Sequence, residues 1–218
     1  MRIRRRPFMP HSASWLIICV LLTAGLQPAE LQAQRHSRDN WQRLPDVMAA
    51  LAISEGSRVA DVGAGDGYFT EHLAVEVGPT GRVFAVDVSE RALRNLRRLV
   101  ENEGFDNVEV VRGEYDDPKL PDESLDAVLV VNAYHEMSEH EAMLAGMLRA
   151  LKPGGRLVML DHVPSDPSES RDQQTADHDI GIDVVEPELR AAGFQILERF
   201  EQFVDSGRNN QWMLVARR

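Results

Sequence analysis

Apolar residues recur along this chain in two rhythms, and the places where one gives way to the other lay out the fold. Val59, Ala60 and Val62 form a short apolar run suited to a strand covered on both faces, after which Phe69, Leu73 and Val77 return at helical spacing. The exchange repeats. Arg82 to Asp87, with its core Val-Phe-Ala-Val, predicts a second strand, and Leu93, Leu96 and Val100 a helix stopped by Gly104. Asn107 to Val111 predicts a third strand and Ser124 to Asn132 a fourth. Ser138 with Glu141 then reads as a capping box for a helix whose buried stripe is Leu144, Met147, Leu148 and Leu151. Lys152-Pro153-Gly154-Gly155 closes that helix, and Arg156 to Leu160 is a fifth strand. Strands alternating with helices in this way predict a mainly parallel sheet with helices on both faces.

The flanks are less regular. Val163 to Asp177 is polar and aperiodic, which predicts a long loop able to cover a ligand. A helix then runs to Ala192, with Pro187 expected in its first turn and Gly193 at its end. Phe194 to Val204 and Gln211 to Ala216 form two strands joined as a hairpin. Upstream, Pro45 suits the first turn of a short helix through Leu51, and Trp41 before it is either part of a lid or a packing residue.

The first 33 residues follow another logic. Four arginines in residues 2 to 6, an uncharged and mainly apolar run from Trp15 to Leu26, and small residues around Ala29 and Ala33 read as a signal peptide for export to the periplasm. Cleavage after Ala33 fits best, with Ala29 as a second site. The run is short for a membrane span, so an inner-membrane anchor through residues 15–26 is the alternative, and cleavage would leave no stable membrane insertion. Residues 34–218 then form one domain.

Charge narrows the partners. The 218 residues carry a net charge of −11, which becomes −14 once four arginines and Glu30 leave with residues 1–33. A body that acidic repels phosphate backbones, so no nucleic-acid partner is expected. The single cysteine, Cys19, lies inside the signal, so a thiol nucleophile and a thiolate metal site are both excluded from the mature chain.

The chemistry centres on the turn between the first strand and helix, Asp61-Val62-Gly63-Ala64-Gly65-Asp66-Gly67. Three glycines there allow a sharp turn and let a ligand approach the main chain. A nicotinamide-type turn would place its third glycine at position 68, which is Tyr68. The observed spacing resembles the first motif of class I S-adenosylmethionine-dependent methyltransferases. Leu151-Lys-Pro-Gly-Gly-Arg-Leu-Val158, an acid at Asp87 and the Gly113-Glu114-Tyr115 stretch are similar to further segments of that class.

The resemblance covers residues 45 to 218. It implies a Rossmann-like α/β fold, with a seven-stranded, mostly parallel sheet ending in an antiparallel hairpin, and S-adenosylmethionine as cofactor. It also implies that Asp61, Gly63, Ala64, Gly65 and Gly67 line the methionine part, Asp87 and Val88 the ribose, and Glu114 and Tyr115 the adenine, with Asn132 beside them. Asp116 or Asp117 is an alternative to Glu114. Asp87 has a second reading as cap of the following helix.

Methyl transfer to a small-molecule acceptor is the implied activity, and an exported cofactor-binding protein without turnover is the alternative. Arsenite is a poor acceptor candidate without thiolates to hold it. His135, with Tyr134 beside it at the strand-four edge, is the candidate catalytic group, and a structural histidine is the competing reading. Asp161, His162 and His178 are secondary candidates. A metal site built from Asp161, His162 and His135 is not expected, because Asn132 stands where catechol-type enzymes favour an acid.

Overall fold

The computed structural model describes residues 38–207 and 210–218. The signal peptide, its cleavage sites and the alternative anchor lie outside the described residues. Among the described residues, no helix is long and apolar enough to cross a membrane.

The sequence alternation becomes one seven-stranded sheet. After α1 (Leu44–Leu51) the chain runs β1 (Arg58–Val62), α2 (Tyr68–Val77), β2 (Arg82–Asp87), α3 (Glu90–Glu103) and β3 (Val108–Arg112). It continues through β4 (Leu125–Val131), a 3-10 turn at Tyr134–Glu136, α4 (His140–Ala150), β5 (Leu151–His162), α5 (Arg171–Ala176), α6 (Ile182–Ala192), β6 (Gln195–Val204) and β7 (Gln211–Arg217). The order across the sheet is β3-β2-β1-β4-β5-β7-β6, and β7 is antiparallel to both neighbours. The resulting architecture is the Rossmann-like methyltransferase arrangement with its terminal hairpin.

Period-two alternation assigns each strand to two cores. Ala60, Val62, Phe84, Val86, Val128 and Val130 pack with Met143, Leu144 and Met147 of α4 and Val185 and Leu189 of α6. Val59, Val83, Ala85, Ala127 and Leu129 pack on the other face with Val47 and Leu51 of α1 and Phe69, Leu73 and Val77 of α2. Strands covered on both faces are mainly apolar, which is why they read as short apolar runs rather than strict alternation. Trp41 packs against this second core, the plainer of its two readings.

Successive strands build outward from β1 in both directions, so the β1–β4 boundary is a topological switch point. Loops diverge there and leave a crevice beyond the carboxyl ends of the strands.

Three expectations are corrected. Ser138 and Glu141 form no capping box: α4 starts at His140 with Glu139 at its N-cap and no side-chain cap bond. The chain leaves the 3-10 turn extended at Met137 and spends Ser138 and Glu139 turning before the helix opens. The 163–177 stretch is not all loop, because Ser170 accepts a hydrogen bond from the Gln173 N–H and caps α5. Pro187 lies at the sixth position of α6, not in its first turn. Burial of Ile182, Val185 and Leu189 holds the helix through a proline that lacks an N–H.

Candidate functional site

A cleft of about 650 Å³ opens at the switch point, within the size range of small-molecule sites. Gly63 and Gly65 enter it from the β1–α2 turn, Asp87 and Val88 from the end of β2, Glu114 and Tyr115 from beyond β3, and Asn132 from the end of β4. A smaller recess continues past the glycines, lined by Asp61, Ala64, Asn132 and Arg38. Nine of the ten expected cofactor-binding residues therefore line one continuous edge of the sheet.

Gly67 is the exception. It lines neither space but caps α2 with φ of 87°, and a Cβ there would sit 2.5 Å from Leu99 Cδ2 on α3. Its lack of a side chain serves helix packing.

Asp87 ties the crevice together. Its Oδ2 accepts the Gly65 N–H at 2.9 Å and its Oδ1 the Ser89 N–H at 2.8 Å. Each carboxylate oxygen keeps a further lone pair for a ligand hydroxyl. Ser89 is the N-cap of α3 and makes no side-chain cap bond, so Asp87 does brace the entry to that helix while still facing the cleft.

Asp61 is buried at 3% exposure, and its Oδ2 accepts a 2.6 Å hydrogen bond from Thr70 Oγ1. Burial raises its pKa to about 6 against the opposing Thr70 bond, with help from the negative charges of Asp66 and Asp87. A buried carboxylate with spare acceptor capacity calls for a cationic partner. Arg38, from the N-terminal segment, lies over the Tyr68 ring at 3.9 Å and places a guanidinium in the same recess.

Glu114 and Tyr115 are exposed on the cleft wall, with Lys119 Nζ 3.2 Å from Glu114 Oε1. Asp116 and Asp117 do not line the cleft, and Asp117 instead binds the Lys119 N–H at 2.9 Å.

A family model described as a methyltransferase domain matches residues 59–155, from β1 into β5. The ubiquinone/menaquinone biosynthesis C-methyltransferase of Pseudomonas fluorescens is 34% identical over 122 residues, covering 56% of this chain and 47% of that protein. The demethylmenaquinone methyltransferase of Listeria welshimeri is 31% identical over 121 residues, covering 56% and 50%. This chain thus spans about half the length of the curated relatives it matches. An S-adenosylmethionine-dependent methyltransferase from Aquifex aeolicus superposes with a TM-score of 0.72 at 25% identity, over 88% of this chain and 99% of that one.

Over residues 59–155 the chain matches a methyltransferase domain, and its fold resembles that of the class I S-adenosylmethionine-dependent methyltransferases.

The residues present fit the cofactor of that class. A Cβ added at Gly65 would meet nothing nearer than the Gly63 carbonyl oxygen at 4.0 Å, so the turn presents open backbone to the cleft. Asp61 and Arg38 offer one charge of each sign at the end where an α-amino acid would lie.

Affinity for the cofactor should depend on pH through Asp61. Below about pH 6 the free protein holds this carboxyl protonated, whereas a nearby ammonium favours the carboxylate, so binding expels a proton. Affinity should rise about tenfold from pH 5 to pH 7 and then level off. Calorimetry in buffers of different ionisation enthalpy reads that proton directly, and Asp61→Asn should abolish the dependence.

The structure separates the two catalytic candidates. Tyr134 is fully buried and points away from the cleft, donating a 2.7 Å hydrogen bond to Glu188 Oε2. Burial and the Glu188 charge push its phenol above the ordinary range, so it stays protonated. This expectation is corrected: Tyr134 fastens the 3-10 turn to α6. Tyr134→Phe should leave turnover unchanged and cost about 1.5–3 kcal/mol of stability, the range for a hydrogen bond to a charged group, measurable by denaturant unfolding.

His135 lies between the cleft and a second recess of about 370 Å³ lined by His162, His178 and Asp179. Asp161, wholly buried, accepts three hydrogen bonds: His135 Nδ1 at 2.7 Å, the His135 N–H at 3.1 Å and the His162 N–H at 2.8 Å. With Nδ1–H spent on the carboxylate, the lone pair of neutral His135 is at Nε2. Burial disfavours the imidazolium, but the Asp161 bond and charge outweigh it and hold the His135 pKa above its ordinary value. Asp161 is thus a support for His135.

Sequence reasoning missed Arg38, Glu136, Met137 and Met143, which line the cleft or its adjoining recess. It also missed a buried amide relay in which Gln42 Nε2 donates to Gln211 Oε1 and Gln211 Nε2 to Asn132 Oδ1. The relay holds Asn132 at φ of 51°, joining the N-terminal segment to the β4 edge.

Proposed function

We propose that this chain transfers the methyl group of S-adenosylmethionine to a small-molecule acceptor. The reading rests on the convergence of Gly63, Gly65, Asp87, Glu114 and Asn132 on one cleft at the switch point of the sheet. In this reading Asp87 accepts hydrogen bonds from the ribose hydroxyls, and Glu114 and Tyr115 stand at the adenine. Asp61 faces the ammonium group, and Arg38 the carboxylate. When bound, the cofactor supplies a methyl group on a sulfonium already activated for displacement. The protein's task is then alignment, which alone supplies effective molarities of about 10⁵ to 10⁸ M in well-oriented systems.

His135, between the cleft and the second recess, is the candidate proton acceptor in this reading. The matched relatives are named for quinone methylation, so quinone-like acceptors are the first to try. The alternative of cofactor binding without turnover finds no support among these relatives, which are named as methyltransferases. Export to the periplasm, read from residues 1–33, is part of the proposal and is tested by fractionating cells that express the full chain.

The direct test is incubation of purified protein with methyl-labelled cofactor and small-molecule extracts. A labelled, extractable product that depends on the protein is expected. Failure to bind the cofactor at millimolar concentration would end the proposal.

A further inference from the structure

We propose that His135, Glu136 and His178 form a binding site for a divalent transition-metal cation between the cleft and the second recess. His135 Nε2, a Glu136 carboxylate oxygen and a ring nitrogen of His178 all lie within 4.8 Å of one another. Three separate constraints bring them together. Glu136 follows His135 on the 3-10 turn after β4, with its Oε1 3.8 Å from Nε2. His178 stands just beyond α5 and meets the His135 ring edge to face at 6.0 Å between centroids. Asp161 fixes the His135 ring from behind through Nδ1 and so presents the Nε2 lone pair toward the other two groups.

A buried carboxylate behind an imidazole is the arrangement that orients a ligating histidine and raises its basicity. The group facing His135 Nε2 is Glu136, an acceptor, at 3.8 Å. Two imidazoles and one carboxylate suit Zn²⁺, Co²⁺ or Ni²⁺ better than Mg²⁺ or Ca²⁺, which prefer all-oxygen sites. Three protein ligands also leave coordination positions for water or for an oxygen or nitrogen of an acceptor. Glu136 lines the cofactor cleft and His178 the recess, so those positions adjoin both spaces. The site stands on its own geometry and does not require the methyl-transfer reading.

The test is titration of the purified, tag-free full chain with Zn²⁺ against a chromophoric chelator, and with Co²⁺ as a visible-absorption probe. One equivalent is expected at this site. His178→Ala and Glu136→Gln change exposed residues, and each should weaken binding by at least about tenfold, the lower edge of what losing even a supporting partner costs a metal site. His162→Ala, which removes a ring not in the set, should leave affinity unchanged. Circular dichroism melts without metal should match for all variants. Absence of saturable Zn²⁺ uptake, or uptake that His178→Ala and Glu136→Gln leave unaltered, overturns the proposal.

Discussion

Asp87→Ala is expected to weaken S-adenosylmethionine binding by about 1.5–3 kcal/mol, roughly 10- to 150-fold, the range for hydrogen bonds to a charged acceptor. The loss has two sources on the same carboxylate. The ribose hydroxyls lose their acceptor, and the Gly65 and Ser89 N–H groups lose the bridge that holds the two walls of the cleft together. Ribose contacts do not change as the methyl group moves, so the defect should appear in the KM for the cofactor with kcat largely preserved. Calorimetry and steady-state kinetics on the same preparation separate these quantities. An unchanged dissociation constant would mean that the ribose lies elsewhere.

Gly63→Ala should be more damaging to the protein itself. Gly63 has φ of 78°, and a Cβ there would fall 2.3 Å from the Cβ of Ala133, at the tip of β4. The left-handed backbone costs an alanine about 1–2 kcal/mol and the overlap about 1–3 more, so destabilisation of about 2–5 kcal/mol is expected. The β1–α2 turn can relieve the overlap only by moving off the β4 edge, which opens the cleft.

Gly65→Ala is the informative contrast. It carries the left-handed penalty, but its Cβ would enter open space, so it should fold while obstructing the ligand. Thermal melts paired with binding measurements should show Gly63→Ala losing both properties and Gly65→Ala losing mainly affinity.

The parts legible in the sequence were those that depend on local order. Strands such as Leu125–Val131 announce themselves because burial on both faces makes Ala127–Val131 a continuous apolar run, and helices such as α3 because one stripe is apolar. Asp87 and Gly63 were readable because a strand end followed by a turn places them at the sheet edge whatever the rest does.

Other roles depend on partners far along the chain. Gly67 has the same residue type and spacing as its neighbours, and only Leu99 beside it reveals a packing role. Tyr134 and His135 are adjacent, yet one is bound to Glu188, 54 residues on, and the other to Asp161, 26 residues on. No local pattern says which of the two faces a ligand. Arg38 stands outside any periodic segment and reaches the cofactor recess only because its segment folds back over α2. α5 escaped notice because Gln174 is its only buried residue, which leaves no apolar stripe to read.

Methyl transfer by this chain depends on a methyl donor lying in the crevice between β1 and β4, held by acids at the ends of β1 and β2. A crystal structure of the protein soaked with S-adenosylhomocysteine tests it most directly. Ribose hydroxyls on the Asp87 carboxylate, with the amino group directed toward Asp61, are the expected result. Density for the ligand away from Asp87, or a crevice that stays empty at saturating ligand, would contradict it.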